Sequence, residues 1–397
     1  MNRTLRSGRW IPAPGLRIAG ACFAAMTLLL SACSSWNPLV ALGIKSEPAN
    51  KPTPLAPITA TVTPRAAWTV SAGKSAGFRF RPAVDGGRVF AAAADGTLTI
   101  VDEESGRLIS RVETKKRLSG GLEAVDGLLI GGTLKGEVFA ADGAGKVLWS
   151  TSVAGEVIAP AAVSRKVVVV RTSDGRIFGL ATDDGKRRWV FQRATPALLL
   201  RSEAGVLAIG GDVVAGYPNG KLIALDIEDG KLTWEVSVSL PRGSTELERI
   251  ADIAGLPVID QGNICAATFQ GKVACFEIQT RNMVWGRDLS STRDLARDAK
   301  NIYVVDDSSA VHALDKGSGA SVWKQDKLLW RRLSSPVVVE GKVVVGDGLG
   351  FVHVLSPDTG EIIGRLATDG SAINSLVAVK SGVLVQTANG SVISVRL

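Results

Sequence analysis

The sequence predicts an all-β fold, an eight-bladed β-propeller of four-stranded antiparallel blades whose ring is closed by an N-terminal strand. Three observations carry that expectation. Glycine recurs at Gly96, Gly136, Gly175, Gly220, Gly271, Gly350 and Gly390, with Ser309 in the remaining place, at intervals of 40, 39, 45, 51, 38, 41 and 40 residues. A period of about 42 residues holds four short strands with their turns, and repeats of 20–50 residues signal propellers or solenoids. Short β-branched runs such as Val167–Val170 and Val343–Val345 recur between turn residues, as an all-β chain requires. Finally, the last repeat stops at Leu397 without an outer strand, while Ala66-Ala67-Trp68-Thr69-Val70 precedes the first full repeat as an unassigned strand. Pairing the two closes the ring and leaves only short protected edges.

Each element of the repeat has a physical job. The clearest copy runs from Gly220 through Asp226 and Gly230 to Trp234. Its first glycine sits at a hairpin turn where a positive φ is needed. Asp102, Asp142, Asp226 and Asp315, followed by Gly106, Gly145, Gly230 and Gly319, mark a second turn in which the aspartate bonds nearby backbone amides. Trp149, Trp189, Trp234, Trp285 and Trp323 then begin the outermost strand, where a large ring fills the widening gap between blades. Trp68 supplies the missing ring at closure.

Ahead of the repeats lie two further segments. Residues 1–32 carry Arg3, Arg6, Arg9 and Arg17 with no acid, then an apolar run from Ile18 to Leu30. Thirteen residues are too few for a transmembrane helix, which needs about 20, and suit a secretory signal. Leu30-Ser31-Ala32-Cys33 resembles the bacterial lipobox, which implies lipidation of Cys33 as the first mature residue. Ser34, in the place where an aspartate would retain the protein elsewhere, implies sorting to the outer membrane. Residues 33–64 hold Pro38, Pro48, Pro52, Pro54, Pro57 and Pro64 and no periodic stretch, so they are expected to form a tether. At about 3.1 Å per residue, an extended proline-rich tether of that length reaches roughly 90 Å; a disordered leader without a spacing role fits the same residues.

Charge excludes one function class. Of 46 Lys and Arg, four lie in residues 1–32, and the remaining 42 against 38 acids leave +4. No basic cluster interleaved with aromatics occurs, so no nucleic-acid partner is expected. Cys22 leaves with the signal and Cys33 is acylated, so only Cys265 and Cys275 remain for an oxidising compartment. A two-residue hairpin loop at Gln270-Gly271 would put them on opposite faces, and a three-residue loop would set them opposite each other. The reading favours two buried thiols over a bridge.

Ala224 to Trp234, in the form A-x-D-x-x-(T/S)-G-x-x-x-W, resembles the quinoprotein-type propeller repeat and lacks the Gly-His and Trp-Asp signatures of WD40 blades. Two families share that repeat. The quinoprotein dehydrogenases have an adjacent Cys-Cys pair absent here; a periplasmic oxidoreductase dependent on pyrroloquinoline quinone, or a degenerate relative, is the alternative reading. The other is the BamB family of outer-membrane assembly lipoproteins, to which the chain is similar in its lipobox, linker and all eight blades. That resemblance implies a non-enzymatic scaffold without cofactor, held at the periplasmic face of the outer membrane. It also implies docking on the periplasmic POTRA repeats of the barrel-inserting protein BamA, with unfolded outer-membrane proteins as further partners.

The likeness is sharpest at Pro196–Glu203 and at Gly243–Ile253. The resemblance puts Leu198, Leu200, Arg201 and Asp252 at partner-contact positions and replaces a second family acid by Ala254. Taken by themselves, Leu198 to Leu200 also suit a buried inner strand. Residues 236–257 form the insertion behind the 51-residue interval, and a unique loop on a regular scaffold is where function concentrates, although a solvated decoration suits it too. Catalysis finds little support. His312 and His353 are repeat equivalents without metal-ligand spacing, nothing suggests a triad, and the glycines follow the repeat instead of preceding a helix. A lipoprotein binding envelope glycans is a third reading.

Overall fold

Short runs of Val, Ile, Leu and Ala bounded by Gly-, Asp- and Ser-rich turns form strands, and consecutive strands pair antiparallel into eight four-stranded sheets. The computed structural model describes residues 50–196 and 198–397, so the signal segment and Cys33 lie outside the described residues. No α-helix occurs among the described residues. Seven blades take their strands in sequence order; the eighth joins Arg65–Ser71 to Ser391–Arg396, Gly382–Thr387 and Ile373–Val379. Arg65 pairs with Arg396 and Ser71 with Ser391, which closes the ring as expected.

The core lies between blades, not within them. Eight apolar clusters each join the strands of two neighbouring blades, for example Val167, Val169 and Trp189 of blade 3 with Val213, Ala215 and Leu225 of blade 4. Trp68 with Val392 and Leu384 of blade 8 meets Val89 and Val101 of blade 1. Burial of such side chains contributes about 1.5–3 kcal/mol each, so every blade is stabilised by both neighbours.

The tryptophan of one blade explains the glycine of the next. Trp68, Trp149, Trp189, Trp285 and Trp323 each donate from Nε1 to a carbonyl in the outer turn of the following blade, at 2.7–3.0 Å. The indole then covers Gly106, Gly185, Gly230, Gly319 or Gly360, all with φ of +68° to +73°, where an added Cβ would collide with the ring. Both the backbone and the space therefore require glycine. Trp234 instead faces Arg281, whose guanidinium lies 5.1 Å from the ring centroid. At the first hairpin turn, six of the seven glycines have positive φ and Ser309 does too, at +72°. Gly271 does not; Gln270 takes that conformation.

Two expectations are corrected. The tether was expected to run to residue 64, but the compact unit begins at Lys51. Residues 51–64 form a strap along blades 6 and 7. Thr53 N donates to Leu329 O (3.0 Å), Thr61 N and Val62 N to Ile363 O (3.0 Å each), while Leu55 and Ile58 pack on the core between those blades. Arg331 Nη1 holds Thr53 O (3.0 Å) and Arg365 Nη1 holds Ala56 O (3.1 Å). Gly364 occupies the tryptophan position of blade 7, and Val62 O and Pro64 Cδ would meet a Cβ there at 2.9 and 3.0 Å. The strap thus fills the space a ring fills elsewhere. The second correction concerns the cysteines. Thr268 pairs with Lys272 across a three-residue loop, which sets Cys265 directly opposite Cys275, and the two form a buried disulfide in place of the favoured free thiols.

Candidate functional site

Because strands alternate in direction, every connection between blades emerges on the same face as the hairpins joining second and third strands. The two stretches singled out above are such connections. Residues 192–206 leave blade 3, and the described part of that span contains no strand, which removes the buried-strand reading of Leu198 to Leu200. Leu198 is 43% exposed, Leu200 is half-buried and Arg201 is exposed. The insertion leaves blade 4 and carries Leu240 and Leu247, 66% and 65% exposed.

Asp252 ties the two connections together. Its Oδ2 accepts from Leu200 N at 2.7 Å and its Oδ1 from Asn219 N at 3.1 Å. Ser202 Oγ donates to Ala254 O at 3.1 Å, a second bridge between the loops. Asp252 was expected on the surface with Leu200 and Arg201. It lies beside them, but at 4% exposure its carboxylate meets backbone N–H groups instead of solvent. Beneath it sits Arg171, buried, whose guanidinium is pushed below its ordinary pKa by burial and upheld by Tyr217 and Asp252. Nη1 of Arg171 donates to Ala204 O at 3.4 Å, inside the same loop. Arg201 reaches across to the connection between blades 2 and 3, with Nε and Nη2 each 3.1 Å from Glu156 Oε2. Glu156, Arg171 and Tyr217 have no signature in the sequence, since each acts through a partner 30 or more residues away.

Within the insertion the chain makes one helical turn. Glu248 Oε2 accepts from Ser244 N (2.8 Å) and Thr245 N (3.1 Å), while Thr245 Oγ1 accepts from Glu248 N (3.2 Å). This reciprocal capping box was readable as Thr245-x-x-Glu248. The backbone bonds hold the Glu248 carboxyl below its ordinary value.

The same loops rim a central cavity of about 580 Å³ to which every blade or its connection contributes. Its charged lining is mixed. Arg79 pairs with Glu203 at 2.9 Å. Burial raises the Glu123 carboxyl, opposed by Arg81. Arg293, between the lining residues Thr292 and Asp294, is pushed down to about 10 by burial and then by the like charge of Arg79. Elsewhere, His312 Nε2 and His353 Nε2 each lie 2.9 Å from an aspartate six residues earlier, Asp306 and Asp347. These are repeat-equivalent hydrogen bonds. No group of three or more His, Cys, Asp or Glu suited to a metal ion occurs among the described residues, nor does a helix long and apolar enough to cross a membrane.

Comparison with known proteins gives a consistent family. The family model described as outer membrane protein assembly factor BamB matches residues 94–325. The BamB of Nitrosomonas eutropha is 42% identical over 332 residues, covering 83% of this chain and 81% of that protein. The BamB of Bordetella pertussis is 37% identical over 385 residues, covering 96% and 98%, and that of Escherichia coli 31% identical over 382 residues, covering 92% and 96%. The crystal structure of BamB from Moraxella catarrhalis superposes with a TM-score of 0.79 at 27% identity, over 84% of this chain and 100% of that one. Quinohemoprotein alcohol dehydrogenase from Comamonas testosteroni shares the fold, with a TM-score of 0.67 at 12% identity over 84% of this chain and 76% of that one.

Proposed function

The chain belongs to the BamB family of outer membrane protein assembly factors, which are non-enzymatic, and on that premise we propose that it is a lipid-anchored scaffold docking on the POTRA repeats of BamA. The anchor is Cys33, the location is the periplasmic face of the outer membrane, and the partner surface centres on Leu198, Leu200 and Arg201. Asp252 serves that surface from below, by fixing the loop that presents it.

One observation carries this reading. Two connections from neighbouring blades, one with an exposed leucine and arginine and one with two exposed leucines, are joined through a buried carboxylate on one face of the ring. Arginine is enriched at binding hot spots, and holding the loops that present it rigid lowers the ordering cost of association. Unfolded outer-membrane strands are a further partner class, since blade edges offer unpaired backbone groups to an extended chain.

The test is a pull-down of BamA with Leu200→Ala and Arg201→Ala variants alongside their unfolding curves. Both variants should unfold like the parent and fail to retain BamA. Parental retention with intact folding would move the docking surface to other loops.

A further inference from the structure

We propose that the connection between blades 6 and 7 rests on the anionic lipid surface that holds the anchor; this goes beyond the docking surface and relies on the lipid-anchored reading above. The strap reaches this connection through Thr53 N to Leu329 O (3.0 Å) and Arg331 Nη1 to Thr53 O (3.0 Å). Arg331 is buried, and its Nε also holds Asp347 Oδ2 at 2.7 Å. One guanidinium therefore buckles the strap, the connection and the neighbouring hairpin together. Gly348 N donates to Arg331 O at 2.7 Å, which brings that hairpin's tip against the connection.

What this assembly shows to solvent is amphipathic. Trp330 is 36% exposed and Leu349 is 42% exposed. Lys327 and Arg332 are exposed and form no ion pair among the described residues, while the carboxylate of Asp347 is buried between Arg331 and His353. Trp330 and Arg332 both have left-handed backbones, with φ of +60° and +54°. A bulky residue in that region is strained, and such strain collects at functional sites. Here it lies beside an indole that stays 36% exposed, whereas the repeat tryptophans are buried.

The occupant follows from the chain itself. Between Cys33 and Lys51 an extended proline-rich segment would span about 56 Å, and a flexible one a root-mean-square length of roughly 25 Å. The strap delivers that segment to the Trp330 side of the ring, so this face stays within reach of the headgroups. Indole rings sit at the headgroup level of bilayers, and each Lys or Arg near an anionic leaflet adds attraction.

The full-length lipidated protein, with Trp36→Phe to silence the ring beside the anchor, is reconstituted into vesicles of brominated phosphatidylethanolamine with phosphatidylglycerol as the anionic lipid. Bromine should quench a share of the tryptophan emission, and Trp330→Phe should abolish that share. Lys327→Glu with Arg332→Glu should reduce it by roughly half or more, the reduction vanishing on vesicles without anionic lipid. Flotation that depends on Cys33 together with quenching that is the same with and without Trp330 would overturn the proposal alone. Flotation identical for the parent and Cys33→Ala would overturn the anchor reading and the proposal with it. Trp330 emission that shifts with protein concentration without vesicles would give the face to a second copy and overturn it as well.

Discussion

Replacing Asp252 separates a carboxylate that holds loops from one that meets a partner. Its two oxygens accept from Leu200 N at 2.7 Å and Asn219 N at 3.1 Å, and Arg171 lies close enough to feel its charge. Hydrogen bonds to a charged group contribute about 1.5–3 kcal/mol each, and the loss is greatest where buried donors are left unpaired. Asp252→Ala should therefore destabilise the protein by about 3–5 kcal/mol, a large part of the roughly 5–15 kcal/mol typical of a folded protein. Asp252→Asn keeps one acceptor oxygen and turns an amide against the other donor, so it should cost about half as much. Equilibrium urea unfolding followed by far-ultraviolet circular dichroism reads both. Leu200→Ala and Arg201→Ala, measured in parallel, should leave the midpoint near the parent's. An Asp252→Ala midpoint equal to the parent's, with BamA retention lost, would refute the clamp and return the carboxylate to the docking surface.

Three further outcomes are expected. Trp68→Ala removes a buried indole and its bond to Glu103 O, and should lower stability by about 3–5 kcal/mol in the same urea assay, whereas an unchanged midpoint would argue against closure by that strand. Cys265→Ser with Cys275→Ser opens a short loop and should lower stability by about 2–3 kcal/mol relative to the oxidised parent, with thiol titration of the unfolded parent checking the bond itself. Burial holds His353 neutral with its pKa depressed, while the His353 contact holds Asp347 below the usual carboxylate range. The unfolded chain therefore binds more protons below the imidazole's ordinary pKa of about 6.5, and stability falls as the pH drops from 7 to 5; His353→Gln should flatten that slope, and an equal slope in both would remove His353 as its source.

The propeller was legible because its determinants are local and periodic. Gly230 and Trp234 announce a turn and a ring whatever lies around them, and the unpaired strand at Trp68 announces its partner by absence of an outer strand after Arg396. What stayed hidden depends on distant partners. Nothing in a proline-rich stretch shows that Val62 and Pro64 will cover Gly364, although a glycine in the tryptophan position was a readable vacancy. Asp252 looks like any acid in a polar insertion, and its burial follows only from two N–H groups contributed by other segments. The disulfide turned on a single residue of loop length, which Thr268 settled by pairing with Lys272.

Closure by Arg65–Ser71 also governs how this ring is made. The strands that pair across the seam are separated by some 320 residues, against about ten for a hairpin, and bringing such ends together costs about 3 kcal/mol more in chain entropy. Blades 1 to 7 assemble from sequence neighbours, so they can form one after another, while the eighth waits for both ends. Until then the indole of Trp68 and the free edge at Ser391–Arg396 are exposed together. That order predicts an open horseshoe with an unpaired strand and an exposed ring as the last state before closure. Such a species is one a holdase would recognise, and substitutions at the seam should raise its lifetime as well as destabilise the finished propeller.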